Sequence, residues 1–226
     1  MCGYVPLREK LTKKRGHLHT ANVYETKNGV ESPTKHMSIV MFLGRNVKEY
    51  SESSKGIIQR FISGSSILCE KCLEPMARHS SYERGIKETG QKITITMVWC
   101  SKCKISHAVL PDFLLPNKHY SGNEIENVII ESATVPANQI ETEASVTTVR
   151  RWIVQISEGI VRAVGILKYL FKRAGQAVSE AAIEAGPSYS ELEQILDMAP
   201  SPIRCSGNKL GLANLWVGTY NRRVYI

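Results

Sequence analysis

Four of the six cysteines in this 226-residue chain form two pairs with the same spacing. Two residues separate Cys69 from Cys72, and two separate Cys100 from Cys103. This spacing lets one tight turn direct both sulfur atoms of a pair toward one ion, and four thiolates complete a tetrahedral zinc shell. We therefore predict a structural zinc ion with these four ligands. Because no position is left for water or substrate, the predicted metal is not catalytic.

Other interpretations of the cysteines stay open. A single CxxC pair also occurs in redox motifs, but those are expected beside a βαβ pattern, which this region lacks. His107 follows Cys103 by four residues and is an alternative ligand, as is the more distant His79. A histidine near such a shell more often packs or hydrogen-bonds outside it. We keep the four cysteines as the favoured set.

Strand patterns surround the cysteine pairs. Residues 92–99 (KITITMVW) alternate and are rich in β-branched side chains, which predicts a strand that runs into Cys100. Residues 76–84 could supply its antiparallel partner. The apolar run at 37–43 suits a buried strand, and residues 56–62 suit a helical turn or a short helix. The pattern predicts a small zinc ribbon built on a β-hairpin.

Helical spacing begins at Ser121, where Glu124 completes a capping box. We predict a first helix from there, a short helix at 138–144, and a long helix capped by Ser145. An apolar stripe marks the long helix, although its glycines make a break possible. Ser188 begins another capped helix, and the last 24 residues are predicted to be irregular or weakly β-like. The stripe consists of Trp152, Ile156, Ile160, Val164, Leu167 and Phe171.

Residues 136–157 (PANQIETEASVTTVRRWIVQIS) have the pattern of a helix-turn-helix. In that motif the N-terminal end of the second helix presents short polar and basic side chains to the major groove of DNA. An ordinary helical hairpin with a solvated basic face explains the pattern equally well. Lys118, from the preceding loop, could contact the DNA backbone. The predicted DNA-binding residues are Lys118, Ser145, Thr147, Thr148, Arg150 and Arg151.

These patterns predict an α+β protein in which a four-cysteine zinc ribbon precedes a mostly helical region. The predicted segments are a basic, flexible extension at 1–36, a zinc-ribbon domain at 37–120, a helical domain at 121–200 and a C-terminal tail at 201–226. The stiff segment between the ribbon and the helices includes Phe113, Leu114 and Leu115, which we expect to pack the two parts together.

The net charge of +8 favours a polyanionic partner, with double-stranded DNA first. No apolar run reaches the ~18 residues that span a bilayer, and the N-terminus lacks the apolar core of a secretory signal. We therefore expect a cytoplasmic, nucleoid-associated protein without a membrane partner.

The strings WCSKCKISHAVLPDFLLPNKHYS, CEKC and TVRRW resemble a bacterial domain-of-unknown-function family of transposase-like zinc-ribbon and helix-turn-helix proteins. The resemblance covers roughly residues 37–157 and implies DNA binding, often near mobile elements. Full transposases of this type carry a nuclease domain with three spaced carboxylates on alternating strands. Here the acids after Trp152 all lie in helical patterns, so the resemblance implies a recognition module without the nuclease.

The sequence thus predicts a zinc-stabilised, sequence-specific DNA-binding protein, either a transcriptional regulator or a mobile-element factor, and not an enzyme. The alternative is a protein-interaction adaptor that uses the long apolar helix, including self-association through residues 152–171. No sequence signature of a common hydrolase, metalloprotease, nucleotide-binding loop or deaminase is present.

Overall fold

The computed structural model describes residues 37–44, 46–64, 67–173, 188–199, 207–220 and 226. The predicted flexible extension at 1–36 lies outside these residues, as do Cys2 and Cys205.

Four strands form one mixed sheet in the order β1-β4-β3-β2. They are β1 (Met37–Met41), β2 (Ala77–Gly85), β3 (Lys92–Cys100) and β4 (Ile105–Pro111). Strands β2, β3 and β4 are antiparallel, and β1 adds parallel to β4. The predicted pairing of residues 76–84 with 92–99 is confirmed. The hairpin is therefore one part of a wider sheet.

Helix α1 (Val47–Ser63) covers part of this sheet and is longer than the predicted segment at 56–62. Asn46 caps it, because its side chain accepts a hydrogen bond from the Glu49 amide at 3.0 Å. Tyr50 is buried and donates from its hydroxyl to the carbonyl of Thr94 at 2.7 Å. This contact ties the start of α1 to β3.

The helical part contains α2 (Gly122–Glu131), α3 (Val146–Arg173), α4 (Tyr189–Asp197) and α5 (Lys209–Tyr220). The predicted caps of α2 and α4 are confirmed, since the side chains of Ser121 and Ser188 accept from amides in the first turns. Helix α3 runs without a break past both Gly159 and Gly165, so the possible interruption does not occur there.

The predicted short helix at 138–144 is wrong. Residues 132–145 form turns and irregular backbone between α2 and α3. Pro136 accepts a turn hydrogen bond from Gln139 at 2.8 Å, and the Thr142 hydroxyl accepts from the Ala144 amide at 3.1 Å. Such local bonds compete with a helix that would be too short to be stable alone. The predicted helix-turn-helix at 136–157 therefore retains only its second helix.

The prediction of an irregular C-terminal tail is also wrong for residues 209–220, which form α5. Leu210, Ala213 and Val217 are fully buried on one side of this helix. Its apolar residues surround the axis without a clear stripe, which is why helical periodicity is hard to see in the sequence. Helix α5 belongs to the core of the helical part and also lies against β1.

The buried apolar side chains form two cores, one at the sheet and one among the helices. Along the chain, the boundary between these cores falls between two adjacent residues. Leu114 belongs to the sheet core and Leu115 to the helical core, and both are fully buried. The expectation that residues 113–115 pack the two parts together agrees with this burial. None of the helices among the described residues is long and apolar enough to cross a membrane.

The apolar stripe of α3 is buried within the chain. All six residues of the stripe belong to the helical core, together with side chains of α2, α4 and α5. They are therefore not an exposed surface for self-association, which was the reason to expect an oligomer through residues 152–171.

Candidate metal centre and nucleic-acid interface

The two cysteine pairs have the same local backbone geometry. In each, the residue four positions after the first cysteine donates its amide to that cysteine's carbonyl, from Leu73 to Cys69 at 2.8 Å and from Lys104 to Cys100 at 2.9 Å. Leu73 and Lys104 also both adopt positive φ angles, of 59° and 55°. Two matching turns therefore present the two pairs, one before β2 and one between β3 and β4.

The four sulfur atoms converge on one point. All of them lie within 4.8 Å of one another, and Cys72 and Cys100 are 3.5 Å apart. Tetrahedral zinc with four bonds of about 2.3 Å requires sulfur atoms about 3.8 Å apart, so the cluster fits the ion with little adjustment. Cys69 and Cys100 are buried, whereas Cys72 and Cys103 are half-buried. The donor set and its burial match a closed structural site.

The thiols differ in acidity because of their hydrogen bonds. The Cys103 amide donates to the Cys100 sulfur at 3.3 Å and is the main cause that lowers the pKa of Cys100 to about 7. A hydrogen bond with Cys72, together with burial, raises the pKa of Cys103 to about 12. Without a cation the cluster therefore retains protons. A divalent ion would displace them and hold all four groups as thiolates.

Neither alternative histidine joins the cluster. His107 is buried in β4, and the ring of His79 packs at a tilt against Trp99 with ring centroids 5.6 Å apart. The group of potential ligands found among the described residues contains the four cysteines alone. An exposed ion pair between Lys102 and Glu74, 3.2 Å long, connects the two turns and is expected to add little stability.

Three of the predicted DNA-binding residues lie together at the start of α3. The Ser145 side chain accepts from the Thr148 amide at 3.3 Å, as an N-cap does. The two hydroxyls are 2.9 Å apart, and Arg151 donates to the Thr148 hydroxyl at 3.5 Å. The helix N-terminus thus carries polar side chains and a guanidinium on one exposed edge.

Lys118 joins this group from a different element. Its ammonium donates to the side-chain oxygen of Gln155 on α3 at 2.6 Å. Partial burial is the main cause that lowers the pKa of Lys118, and the positive charge of nearby Arg151 adds to the effect. Two cations are therefore held near each other, an arrangement that an anion would stabilise.

Thr147 and Arg150 complete the predicted set. Both are exposed on the first two turns of α3, the part of the helix that follows Ser145 and also carries Thr148 and Arg151. We call Lys118, Ser145, Thr147, Thr148, Arg150 and Arg151 the basic face.

The sequence prediction missed two residues that hold the basic face. Gln155 is one helical turn after Arg151, so the four-residue spacing on α3 could have identified it. Arg84 is the other. It lies in the polar strand β2, whose sequence gives no sign that this arginine is buried.

Comparison with protein families gives a match for part of the chain. No curated protein and no solved structure matches the chain. Residues 69–152 match a family model described as "Domain of unknown function (DUF6431)". The match begins at Cys69, the first cysteine of the cluster, and ends within α3, so it includes both the cysteine cluster and the basic face. Residues 69–152 thus contain a DUF6431 domain, for which no function is known.

Proposed function

We propose that this protein binds double-stranded DNA through the basic face and that a structural zinc ion holds the sheet that supports this face. The observation that carries the proposal is the contact between Lys118 and Gln155 of α3, which places the lysine ammonium about one helical turn from Arg151. The two cations come from different elements, 33 residues apart in the chain.

The chemistry of the face suits the DNA backbone and base edges. A helix N-terminus attracts phosphate, and lysine adds a point charge there. Arginine can bond guanine through two donors, and hydroxyl groups bond bases or phosphates. The overall charge of +8 supports a polyanionic partner. In this proposal α3 enters the major groove without the preceding short helix of a helix-turn-helix.

The zinc ion would be held by Cys69, Cys72, Cys100 and Cys103. It would cross-link the two turns and would have no catalytic role. The resemblance to transposase-like recognition proteins supports a role as a regulator or a mobile-element factor that lacks a nuclease. A cytoplasmic, nucleoid-associated location follows from such a role. The adaptor hypothesis remains the alternative, although the apolar stripe that motivated it is buried.

Titration of a short fluorescein-labelled DNA duplex, followed by anisotropy, tests the proposal. We expect Lys118→Ala and Arg151→Ala each to weaken binding, because each substitution removes a cation from the basic face. Lys118→Ala should also reduce the slope of log K against log[salt] by ~1, because it removes one phosphate contact. Arg151→Ala should also weaken discrimination between sequences if its guanidinium contacts a base.

The matched control is Lys172→Ala, which removes an exposed lysine from the last turn of the same helix. Its affinity and salt slope should remain close to those of the wild type. Equal effects of Lys118→Ala and Lys172→Ala would show that binding depends on total charge and not on this face, which would contradict the proposal.

A further inference from the structure

The loop that carries Lys118 is held by a buried arginine from the sheet. Arg84, at the end of β2, is only 7% exposed. Its guanidinium donates to the carbonyl of Leu115 at 2.8 Å and also to the carbonyl of Lys118. These acceptors are the first and last residues of one turn, in which Asn117 has a φ of +60°. One side chain therefore bridges both ends of a turn with an unusual backbone.

The turn between β2 and β3 adds two more contacts to the same loop. The Lys87 amide donates to the carbonyl of His119 at 2.8 Å, and the Glu88 carboxylate accepts from the Ser121 amide at 2.7 Å. The loop 115–121 is thus bound at four of its seven residues by the hairpin that runs into Cys100. The hairpin that connects the two cysteine-bearing turns therefore also holds the loop that carries Lys118.

Burying a guanidinium is costly, and carbonyl acceptors offset only part of the cost. Burial lowers the pKa of Arg84, as expected for a cation removed from water. A sheet that only needed an apolar core would be more stable with an aliphatic residue at this position. The arrangement is explained if its use is to fix the geometry of the loop.

From these contacts we infer that Arg84 is a positioning residue for DNA binding: it holds loop 115–121 so that the Lys118 ammonium lies against Gln155 of α3, one helical turn from Arg151. This inference rests on the proposed function. It predicts that the loss of Arg84 acts on DNA binding through Lys118 and not through contact with DNA.

The test compares Arg84→Met with Arg78→Met. Both variants keep a long side chain and remove one positive charge from β2, but Arg78 is exposed. We expect Arg84→Met to weaken binding of a mixed-sequence duplex by about tenfold and to reduce the salt slope by ~1, as Lys118→Ala does. Arg78→Met should change the affinity less than about twofold, and both variants should retain their zinc.

A double-mutant cycle separates positioning from general stability. In the Lys118→Ala background, Arg84→Met should cause no further loss of affinity, because the cation that Arg84 positions is already absent. Losses that multiply in the double variant, or a wild-type affinity for Arg84→Met, would overturn the inference. If Arg84→Met does not fold, Arg84→Lys is the second variant. It keeps the charge, but its ammonium lies one bond nearer the backbone than the Nη2 atom that donates to both carbonyls, and it should give an intermediate loss.

Hydrogen exchange distinguishes the failure of this inference from failure of the proposed function. We expect amides of loop 115–121 to exchange faster in Arg84→Met while those of β3 stay protected. Unchanged exchange in the loop would overturn the positioning role, whatever the DNA titration shows. Faster exchange in the loop, combined with no effect of Lys118→Ala on binding, would instead overturn the proposed function.

Discussion

At the scale of single residues, Glu126 shows how a buried charge joins three helices. This residue of α2 is only 8% exposed, and one of its carboxylate oxygens accepts three hydrogen bonds. The donors are the Tyr189 hydroxyl at 2.7 Å, the Lys209 amide at 2.6 Å and the Leu210 amide at 3.2 Å. The carboxylate therefore connects α2 to α4 and to the N-terminus of α5, where a negative charge is favourable.

Burial raises the pKa of Glu126 above the ordinary 4.5, although its three hydrogen bonds oppose the shift. The folded state thus binds the proton more tightly than the unfolded state does. The resulting stability is fully present below about pH 4.5 and is lost as the pH rises through the higher folded pKa.

We therefore predict that Glu126→Gln is at least as stable as the wild type at neutral pH, because glutamine keeps an acceptor without a charge. This advantage should shrink as the pH falls toward 4.5, which urea unfolding at several pH values would measure. Glu126→Leu is the control, and it should cost about 1–3 kcal/mol because buried donors lose their acceptor. A Glu126→Gln variant as unstable as Glu126→Leu would show that the charge itself is required.

At the scale of secondary-structure elements, periodicity and caps identified much of the fold. The alternation in residues 92–99 predicted β3, and Ser121 and Ser188 marked the starts of two helices. The helix at 138–144 was wrong because local side-chain bonds, such as that of Thr142, satisfy the backbone in turns. Helix α5 was missed because it is apolar on several sides, so its sequence has no helical stripe.

The cysteine cluster could be predicted because a two-residue spacer determines a local turn. The contacts of Arg84 and Lys118 could not be predicted from the sequence, because the partners are distant in the chain. Arg84 is 31 residues from Leu115, and Lys118 is 37 residues from Gln155. Such pairings depend on how the sheet and α3 pack, and no local pattern encodes them.

Alanine substitutions at two glycines of α3 are predicted to have opposite effects on the stability of the protein. A β-carbon at Gly159 would lie 2.8 Å from the backbone of Ile226, whereas one at Gly165 would meet nothing within 4 Å. Gly165→Ala should therefore stabilise the protein by about 0.5–1 kcal/mol, because alanine favours a helix. Gly159→Ala should destabilise it by about 1–3 kcal/mol, because the backbone must shift. Thermal unfolding would compare them, and equal effects would contradict the close approach of Ile226.

At the scale of the whole molecule, the β2–β3 hairpin connects the cysteine cluster with the loop that carries Lys118 of the basic face. The two turns that carry the cysteines flank β2 and β3, and the opposite end of this hairpin holds loop 115–121. A zinc ion at one end would stabilise the hairpin, and the hairpin would position Lys118 at the other. Residues 69–152, which match the domain family, include this whole arrangement.

This arrangement predicts about one zinc ion per chain, bound by the cluster. Cys100→Ser should lose most of the metal and unfold at lower temperature, because binding energy at a structural site contributes to folding. Cys205→Ser, which changes a cysteine that is not one of the four proposed ligands, is the control and should keep its metal. Elemental analysis after dialysis measures the content, and equal zinc in both variants would exclude this site.

The most direct test of the central claim is the DNA affinity of the same protein with zinc bound and after chelation. Circular dichroism would establish that the helices remain folded in both samples. We predict that chelation weakens binding to the labelled duplex at least as much as Lys118→Ala does and that added zinc restores it, because the hairpin no longer positions Lys118 without the metal. Unchanged affinity in protein verified to be metal-free and still helical would contradict the account.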